Sequence, residues 1–212
     1  MAQQSVDYEY LKSAYLDHNS LFYKKLQIVN SYIGKGHTFL DIGIGTGELI
    51  ELVKDRFDVI YGIDNDIDAF NICRRRFQNN NNIYVLKNDV GNIEQSLNNK
   101  RFDYITCLDV LEHIDLNNCK NVLRTVCKML KNDGVFIFSG PGIFEKMRIA
   151  LGLSPTHIHS HSSYGWRKMI ENAGFRVSNI ETVEFPVIHS NILRKRLHIF
   201  GKCCMIITKK LE

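Results

Sequence analysis

The sequence predicts a doubly wound α/β fold, a mostly parallel sheet between two helical layers, preceded by a helical extension. Three observations carry this. Thr38-Phe39-Leu40-Asp41-Ile42 is an apolar run that reaches an acid. Gly43, Gly45 and Gly47 follow at every second position, and then the helix-compatible Glu48-Leu49-Ile50. A buried parallel strand reads this way when it enters a tight turn and then a helix. Further strand-like runs at 59–64, 83–90, 102–108 and 135–138 alternate with segments of helical period. The 212 residues suffice for one domain with a real core. It divides into an N-terminal arm (1–36), a ligand-binding core (37–142) and an acceptor-side region (143–212).

Residues 5–34 read as helical, since Leu11, Ala14 and Tyr15, then Leu21, Phe22, Leu26 and Val29, recur at helical spacing. Asp17-His18-Asn19-Ser20 splits the segment into two helices, with Asn19 or Ser20 as N-cap. The arm packs on the core and partly covers the pocket. Strand one spans about 38–42 and helix one about 47–56. Strand two ends at Asp64, where a carboxylate beside strand one can accept from a ribose diol. Asp64 or Asp66 can equally start the helix holding Ala69, Phe70 and Cys73. Dividing the roles gives Asp64 to the ribose and Asp66 or Asn65 to the helix start. Arg74-Arg75-Arg76, late in that helix, reads as a solvated face suited to the helix dipole. Strand three, 83–90, again ends in an acid. Asp89 is either a plain turn residue or an acceptor for an adenine amino group, with the Val90 N–H beside it.

The glycine turn fails two phosphate-binding patterns. In G-x-G-x-x-G the third glycine falls at 48, but Glu48 stands there and the glycine is Gly47. No Gly-Lys-Ser/Thr follows, so it is not a P-loop. Strand four, 102–108, runs into Asp109-Val110-Leu111-Glu112-His113. D-x-G-x-G-x-G, two strand-end acids and F-D-Y-I-x-x-x-D-V-L-E-H together resemble the class I S-adenosylmethionine (SAM) dependent methyltransferases. The likeness is to their "type 11", ubiquinone/menaquinone-like small-molecule branch, over about 36–142.

The resemblance implies a Rossmann-like three-layer αβα sandwich with sheet order 3-2-1-4-5-7-6 and strand seven antiparallel. It implies SAM as cofactor and S-adenosylhomocysteine as product. It places Asp41 at the methionine amino group, Gly43, Gly45 and Gly47 under the methionine and ribose, and Asp64 with Asn65 at the ribose. Asp89 and Val90 would hold adenine, and the Cys107-Leu108-Asp109 backbone would floor the sulfonium. Acids at strand ends suit a cationic ligand better than a pyrophosphate. Where a base is used, His113, His157 and His159 are the candidates. The function expected is methyl transfer to a small-molecule, lipid or quinone-precursor, or glycan acceptor. The alternative is a protein that binds SAM without transferring its methyl.

Val122, Val126, Met129 and Leu130 share a helix face; Lys131-Asn132-Asp133-Gly134 reads as a turn and Ser139-Gly140-Pro141-Gly142 as a break. Residues 143–153 read as an amphipathic lid helix, with Ile143, Phe144, Met147, Ala150 and Leu151 on its apolar side. His157, His159 and His161 alternate along an extended stretch. Zinc is one reading, but no neighbouring cysteine or carboxylate completes a site, so no metal set is assigned. A helix over 164–173 with Gly174 after it precedes strand six within 175–183. A basic insert, 189–202, carries Arg194-Lys195-Arg196 and His198 before the last strand at 203–208.

A formal charge of +4 is too small to argue for nucleic acid, and strand four lacks the N/D-P-P-Y/F and Pro-Cys motifs of exocyclic-amine and cytosine C5 enzymes. No signal peptide or bilayer-length apolar run is visible. The six cysteines form no C-x-x-C and read as buried thiols of a cytoplasmic protein. A small-molecule acceptor is the expected partner, and a homodimer is compatible with the sequence.

Overall fold

The computed structural model describes residues 8–18, 20–154, 156–183 and 203–210. Helices α1 (Tyr8–Leu16) and α2 (Leu21–Tyr32) form the arm. The core then runs β1 (Gly36–Ile42), α3 (Glu48–Val53), β2 (Phe57–Asp64), α4 (Ile67–Arg76), β3 (Ile83–Lys87), α5 (Ile93–Ser96) and β4 (Phe102–Leu108). It continues with α6 (Leu116–Met129), β5 (Leu130–Pro141), α7 (Ile143–Ala150), α8 (Ser163–Asn172), β6 (Phe175–Val183) and β7 (Cys203–Lys210). The sheet order is β3-β2-β1-β4-β5-β7-β6. Strands β1 to β5 pair in parallel, and β7 runs antiparallel to both β5 and β6. Fold and order are those the sequence led us to expect.

The period-2 alternation of the strands divides the core between two faces. From β1, Leu40 and Ile42 pack toward α6 and α8, while Phe39 packs on the other side with Leu26 and Val29 of α2 and Leu49 and Ile50 of α3. Asp41 has the parity of Phe39, so it emerges on the face that the arm covers. Its neighbour across the ladder is Thr106 of β4. Ser20 is the cap that starts α2, accepting from the Tyr23 N–H at 3.0 Å, and Asn19 lies outside the described residues. Asp66, not Asn65, caps α4, accepting from the N–H groups of Asp68 and Ala69 at 2.7 and 3.2 Å.

Two sequence expectations give way in β5. Residues 131–134 are not a free turn. They lie within the strand, where Phe102 pairs with Leu130 but Tyr104 pairs with Val135, so the extra residues are taken up as a ladder irregularity. Residues 139–142 do not break the chain at Ser139, because the strand continues to Pro141, which faces Cys203. Gly140 serves packing: a Cβ there would stand 2.6 Å from the Phe138 ring and 3.1 Å from Trp166. The fully buried Trp166 indole donates to the Pro141 carbonyl at 3.0 Å. Strand β3 and helices α3 and α7 are shorter than expected, and the insert at 189–202 lies outside the described residues.

Asp103 sets the start of the two central strands. Its Oδ2 accepts from the His37 and Thr38 N–H groups at 2.9 and 2.7 Å and from the Thr38 hydroxyl at 3.0 Å. Lys131 reaches its Oδ1 at 2.9 Å. Burial alone would raise this carboxyl, but Lys131 and the Thr38 and His37 donors outweigh it and hold the group below the usual carboxylate range. Its stabilising contribution is therefore full above the unfolded value of 3.8 and disappears as pH falls through the depressed native value. Asp103→Ala is expected to cost roughly 1–3 kcal/mol in urea unfolding at pH 7. The gap from the unmodified protein should narrow in acid, and a gap constant down to pH 2 would contradict this account.

Candidate functional site

The site forms where β1, β2 and β4 end beside the arm. Gly43, Gly45 and Gly47 all have left-handed φ, at 78°, 53° and 83°. The Gly43 and Ile44 N–H groups donate to the Ile63 carbonyl at 2.8 and 3.0 Å, tying the turn to β2. Gly43 and Gly47 are also packed tightly: added Cβ atoms would stand 2.3 Å from Val110 and 2.7 Å from Phe77. Gly45 differs, because nothing lies within 4 Å of the place its Cβ would take. The turn thus presents bare backbone to open space at Gly45.

Asp64 braces this turn. Its Oδ2 accepts from the Gly45 N–H and its Oδ1 from the Asp66 N–H, both at 3.0 Å. Each oxygen keeps a lone pair for a hydroxyl. Burial pushes this carboxyl above its ordinary value. Asn65 is exposed beside it. Asp41 is 3% exposed and accepts from the Thr106 hydroxyl at 2.6 Å. Burial lifts it to about 7 despite that hydrogen bond, and the Asp64 charge adds to the rise. Asp89 is exposed and caps a short turn, accepting from the Gly91 N–H at 2.7 Å, while Val90 is buried next to it.

Cys107 is buried in the sheet, and burial drives its thiol well up. Leu108 lines the pocket, and Asp109 follows in left-handed backbone at φ 55°. Three groups hold Asp109 there. Its N–H donates to the Ser139 carbonyl at 3.0 Å, the Ser139 hydroxyl donates to its Oδ1 at 2.9 Å, and the Lys25 ammonium pairs with its Oδ2. Burial would raise this carboxyl, but Lys25 outweighs it and holds the group low. Lys25 is itself buried, a condition that opposes its charge, yet Asp109 keeps it firmly protonated.

Sequence reasoning missed Lys25, although a signal was present. It lies between Phe22 and Val29 at helical spacing, so it is a lysine inside the arm's apolar stripe. Tyr15 and Phe22 line the same pocket, and Tyr8 reaches Asp66, so the arm crosses the whole cleft. A cavity of about 40 Å³ remains between the arm and the ends of β1 and β4, with Asp41 and Asp109 in its wall. Arg76, expected on a solvated face, instead donates to the Thr46 carbonyl and to Glu48 at 2.7 and 2.8 Å.

The histidines do not share one face. His159 and His161 lean on Trp166, with ring centroids 5.6 and 4.8 Å from it. His159 Nε2 meets the Ile114 carbonyl at 3.1 Å, its Nδ1 is buried without a partner, and burial holds the ring below the usual imidazole range. His157 turns the other way, to a ring centroid 4.9 Å from His113. Glu112 beside it is 1% exposed, and burial, reinforced by the Asp109 charge, pushes its carboxyl far up. Helix α7 and its C-cap leave Ile143, Met147 and Leu151 partly exposed, at 38%, 60% and 64%.

Residues 16–180 match the family described as a methyltransferase domain. The chain belongs to this family. It is 32% identical over 108 residues to a ubiquinone biosynthesis O-methyltransferase of Glaesserella parasuis serovar 5, covering 49% of this chain and 45% of that one. It thus spans about half the length of the curated relatives it matches. A SAM dependent methyltransferase from Archaeoglobus fulgidus superposes with a TM-score of 0.73 at 23% identity, covering 97% of this chain and 100% of that one. The N-methyltransferase NodS from Bradyrhizobium japonicum WM9, in complex with S-adenosylhomocysteine, gives 0.72 at 15%, covering 97% and 98%. The two structures share the fold of this chain.

The glycines separate two kinds of defect. Gly43→Ala combines a left-handed backbone, which costs an alanine about 1–2 kcal/mol, with a clash against Val110. Gly45→Ala carries the backbone cost alone. Thermal unfolding should therefore show the larger loss for Gly43→Ala. Equal losses would mean that the Val110 contact yields freely.

Proposed function

We propose that this methyltransferase-family chain transfers a methyl group from SAM to a small-molecule acceptor. The observation that carries the proposal is the charge pattern around the bare Gly45 backbone. Asp41 and Asp64 flank the turn, and Lys25 enters from the arm. Such a pocket favours a ligand with a cationic amine, a sugar diol and a carboxylate, and it disfavours a pyrophosphate.

Helices α1 and α2 serve as a cover, the β1–β4 ends hold the cofactor, and α7 with the 156–161 loop faces the acceptor. Asp41 takes the cofactor's amino group, directly or through water, and Lys25 releases from Asp109 to meet its carboxylate. Gly43, Gly45 and Gly47 let the ribose and methionine lie on the backbone. Asp64 takes the ribose hydroxyls with Asn65 beside it. Asp89 and the Val90 N–H hold adenine. The Cys107-Leu108-Asp109 backbone lies under the sulfur. When bound, the cofactor supplies a methyl on a positively charged sulfur, already activated for in-line displacement.

Orientation and exclusion of water are then most of what the chain contributes, and the arm helices provide both. Where a base is used, His113, His157 and His159 are the candidates. The exposed Ile143, Met147 and Leu151 support an apolar acceptor such as a quinone precursor, as does the ubiquinone-pathway relative. The six cysteines, all free and buried, support a cytoplasmic setting. Among the described residues, no helix is long and apolar enough to cross a membrane.

Calorimetric titration with SAM, S-adenosylhomocysteine and NAD tests the proposal. We expect both SAM forms to bind, NAD not to bind, and Asp64→Ala to weaken binding by about 10-fold or more, the loss of a charge-assisted pair of hydrogen bonds. No binding of either SAM form at millimolar concentration would sink the proposal. Binding without labelled methyl transfer to any candidate acceptor would favour a sensor instead.

Asp41 adds a pH signature. Its native value of about 7 lies above the unfolded 3.8, so the ligand-free fold loses stability from this group as pH rises between those values. A cationic ligand reverses the preference and expels the proton. Titrations at pH 6 in buffers of different ionisation enthalpy should show SAM binding releasing most of one proton, with none released at pH 9. Asp41→Asn should abolish the release; an unchanged release would assign it to another group.

A further inference from the structure

The short turn after Asp109 holds a buried carboxylate with an unused oxygen. Glu112 is 1% exposed, and its Oε2 has no hydrogen-bond partner. Beside it stand two imidazoles, each already anchored through Nδ1. His113 Nδ1 meets the Thr156 carbonyl at 2.9 Å, and His157 Nδ1 meets the Glu145 carboxylate at 2.8 Å. Oxygen acceptors at both Nδ1 positions fix the tautomer: Nδ1 carries the hydrogen and Nε2 keeps its lone pair. Glu112, His113 and His157 each offer one ligand atom, and these atoms lie within 4.8 Å of one another.

The site is held from the turn, the 156–159 loop and α7, with His113 on its exposed side. The Ile158 N–H donates to the Glu112 carbonyl at 2.8 Å, and His159 meets the Ile114 carbonyl at 3.1 Å, which locks the 156–159 loop onto the turn. Glu145 comes from α7 and is held in turn by the Ser154 hydroxyl, with Arg148 at 3.7 Å. A histidine oriented by a carboxylate or a carbonyl on its far nitrogen is the usual arrangement behind a metal ligand. Among the described residues, no other group of three or more such side chains converges in this way.

We propose that Glu112, His113 and His157 form a binding site for one divalent, zinc-class cation, with Glu145 and the Thr156 carbonyl orienting the two histidines. Two imidazoles and one carboxylate suit zinc and its transition-metal neighbours, whereas magnesium and calcium take oxygen donors. Three protein ligands leave one tetrahedral position for a donor from outside the chain. The ion supplies the positive charge that the orphaned Glu112 oxygen lacks. It also ties α7, through Glu145 and His157, to the turn that follows the cofactor floor. His159 and His161, though part of the same alternating run, take no part.

The test uses the full chain stripped with chelator and no cofactor, so its outcome is independent of SAM binding. Zinc is titrated by calorimetry, and cobalt by its visible absorption. We expect one zinc per chain, a cobalt spectrum of tetrahedral intensity, and no comparable magnesium binding. His113→Ala, His157→Ala and Glu112→Gln should each abolish or sharply weaken zinc binding. Glu145→Gln should weaken it by about 10- to 100-fold, as loss of an orienting partner does, and His161→Ala should leave it unchanged. Far-UV circular dichroism checks that each variant folds, and Glu145→Gln, which removes no ligand, keeps the test sharp where a ligand variant unfolds. Absence of zinc binding, binding indifferent to His113 and His157, or binding lost in His161→Ala would each overturn the assignment.

Discussion

The buried ion pair between Lys25 and Asp109 is the contact on which the site depends. Asp109 occupies left-handed backbone at the end of β4, a conformation costly for a residue with a side chain. Lys25 and Ser139 hold it there. Lys25 in turn fixes α2 over the cleft, so one pair sets both the shape of the floor and the position of the cover. Removing one partner of such a buried pair typically costs about 3–5 kcal/mol, because the other charge is left uncompensated.

The strand ends gather negative charge under different constraints. Asp41 is the deepest and pays most for burial, with only Thr106 to support it. Asp64 is less buried and is held by two backbone N–H groups. Asp109 is fully compensated by Lys25. The three carboxyls therefore differ: burial raises Asp41 to about 7 and also raises Asp64, while Lys25 holds Asp109 low. That grading follows from the parallel register, which brings β1, β2 and β4 to a common end while giving each acid different neighbours.

Beyond the floor, the chain changes character. The turn at 111–113, the loop at 156–161 and α7 are joined by polar contacts, while α7 keeps apolar side chains exposed. Polar anchoring of the helix and loop thus lies next to partly exposed apolar side chains. The Glu145–His157 contact makes α7 and the loop one structural unit, so movement of the helix is felt at the turn beside Asp109.

The sequence by itself determined the fold. Periodicity located the strands, and the spacing Gly43, Gly45, Gly47 with Asp41, Asp64 and Asp109 gave the ligand end of the sheet, because strand parity and glycine backbone freedom are local properties. The local pattern also misled where long-range pairing prevailed, as in the turn-like residues 131–134 absorbed into β5. Only the tertiary structure decided which residues meet across the chain. Lys25 and Asp109 are 84 positions apart, and His157 leaves its own alternating run to face Glu112 and His113. Such contacts are set by how α2, α7 and the loop pack on the sheet ends, and no local periodicity encodes them.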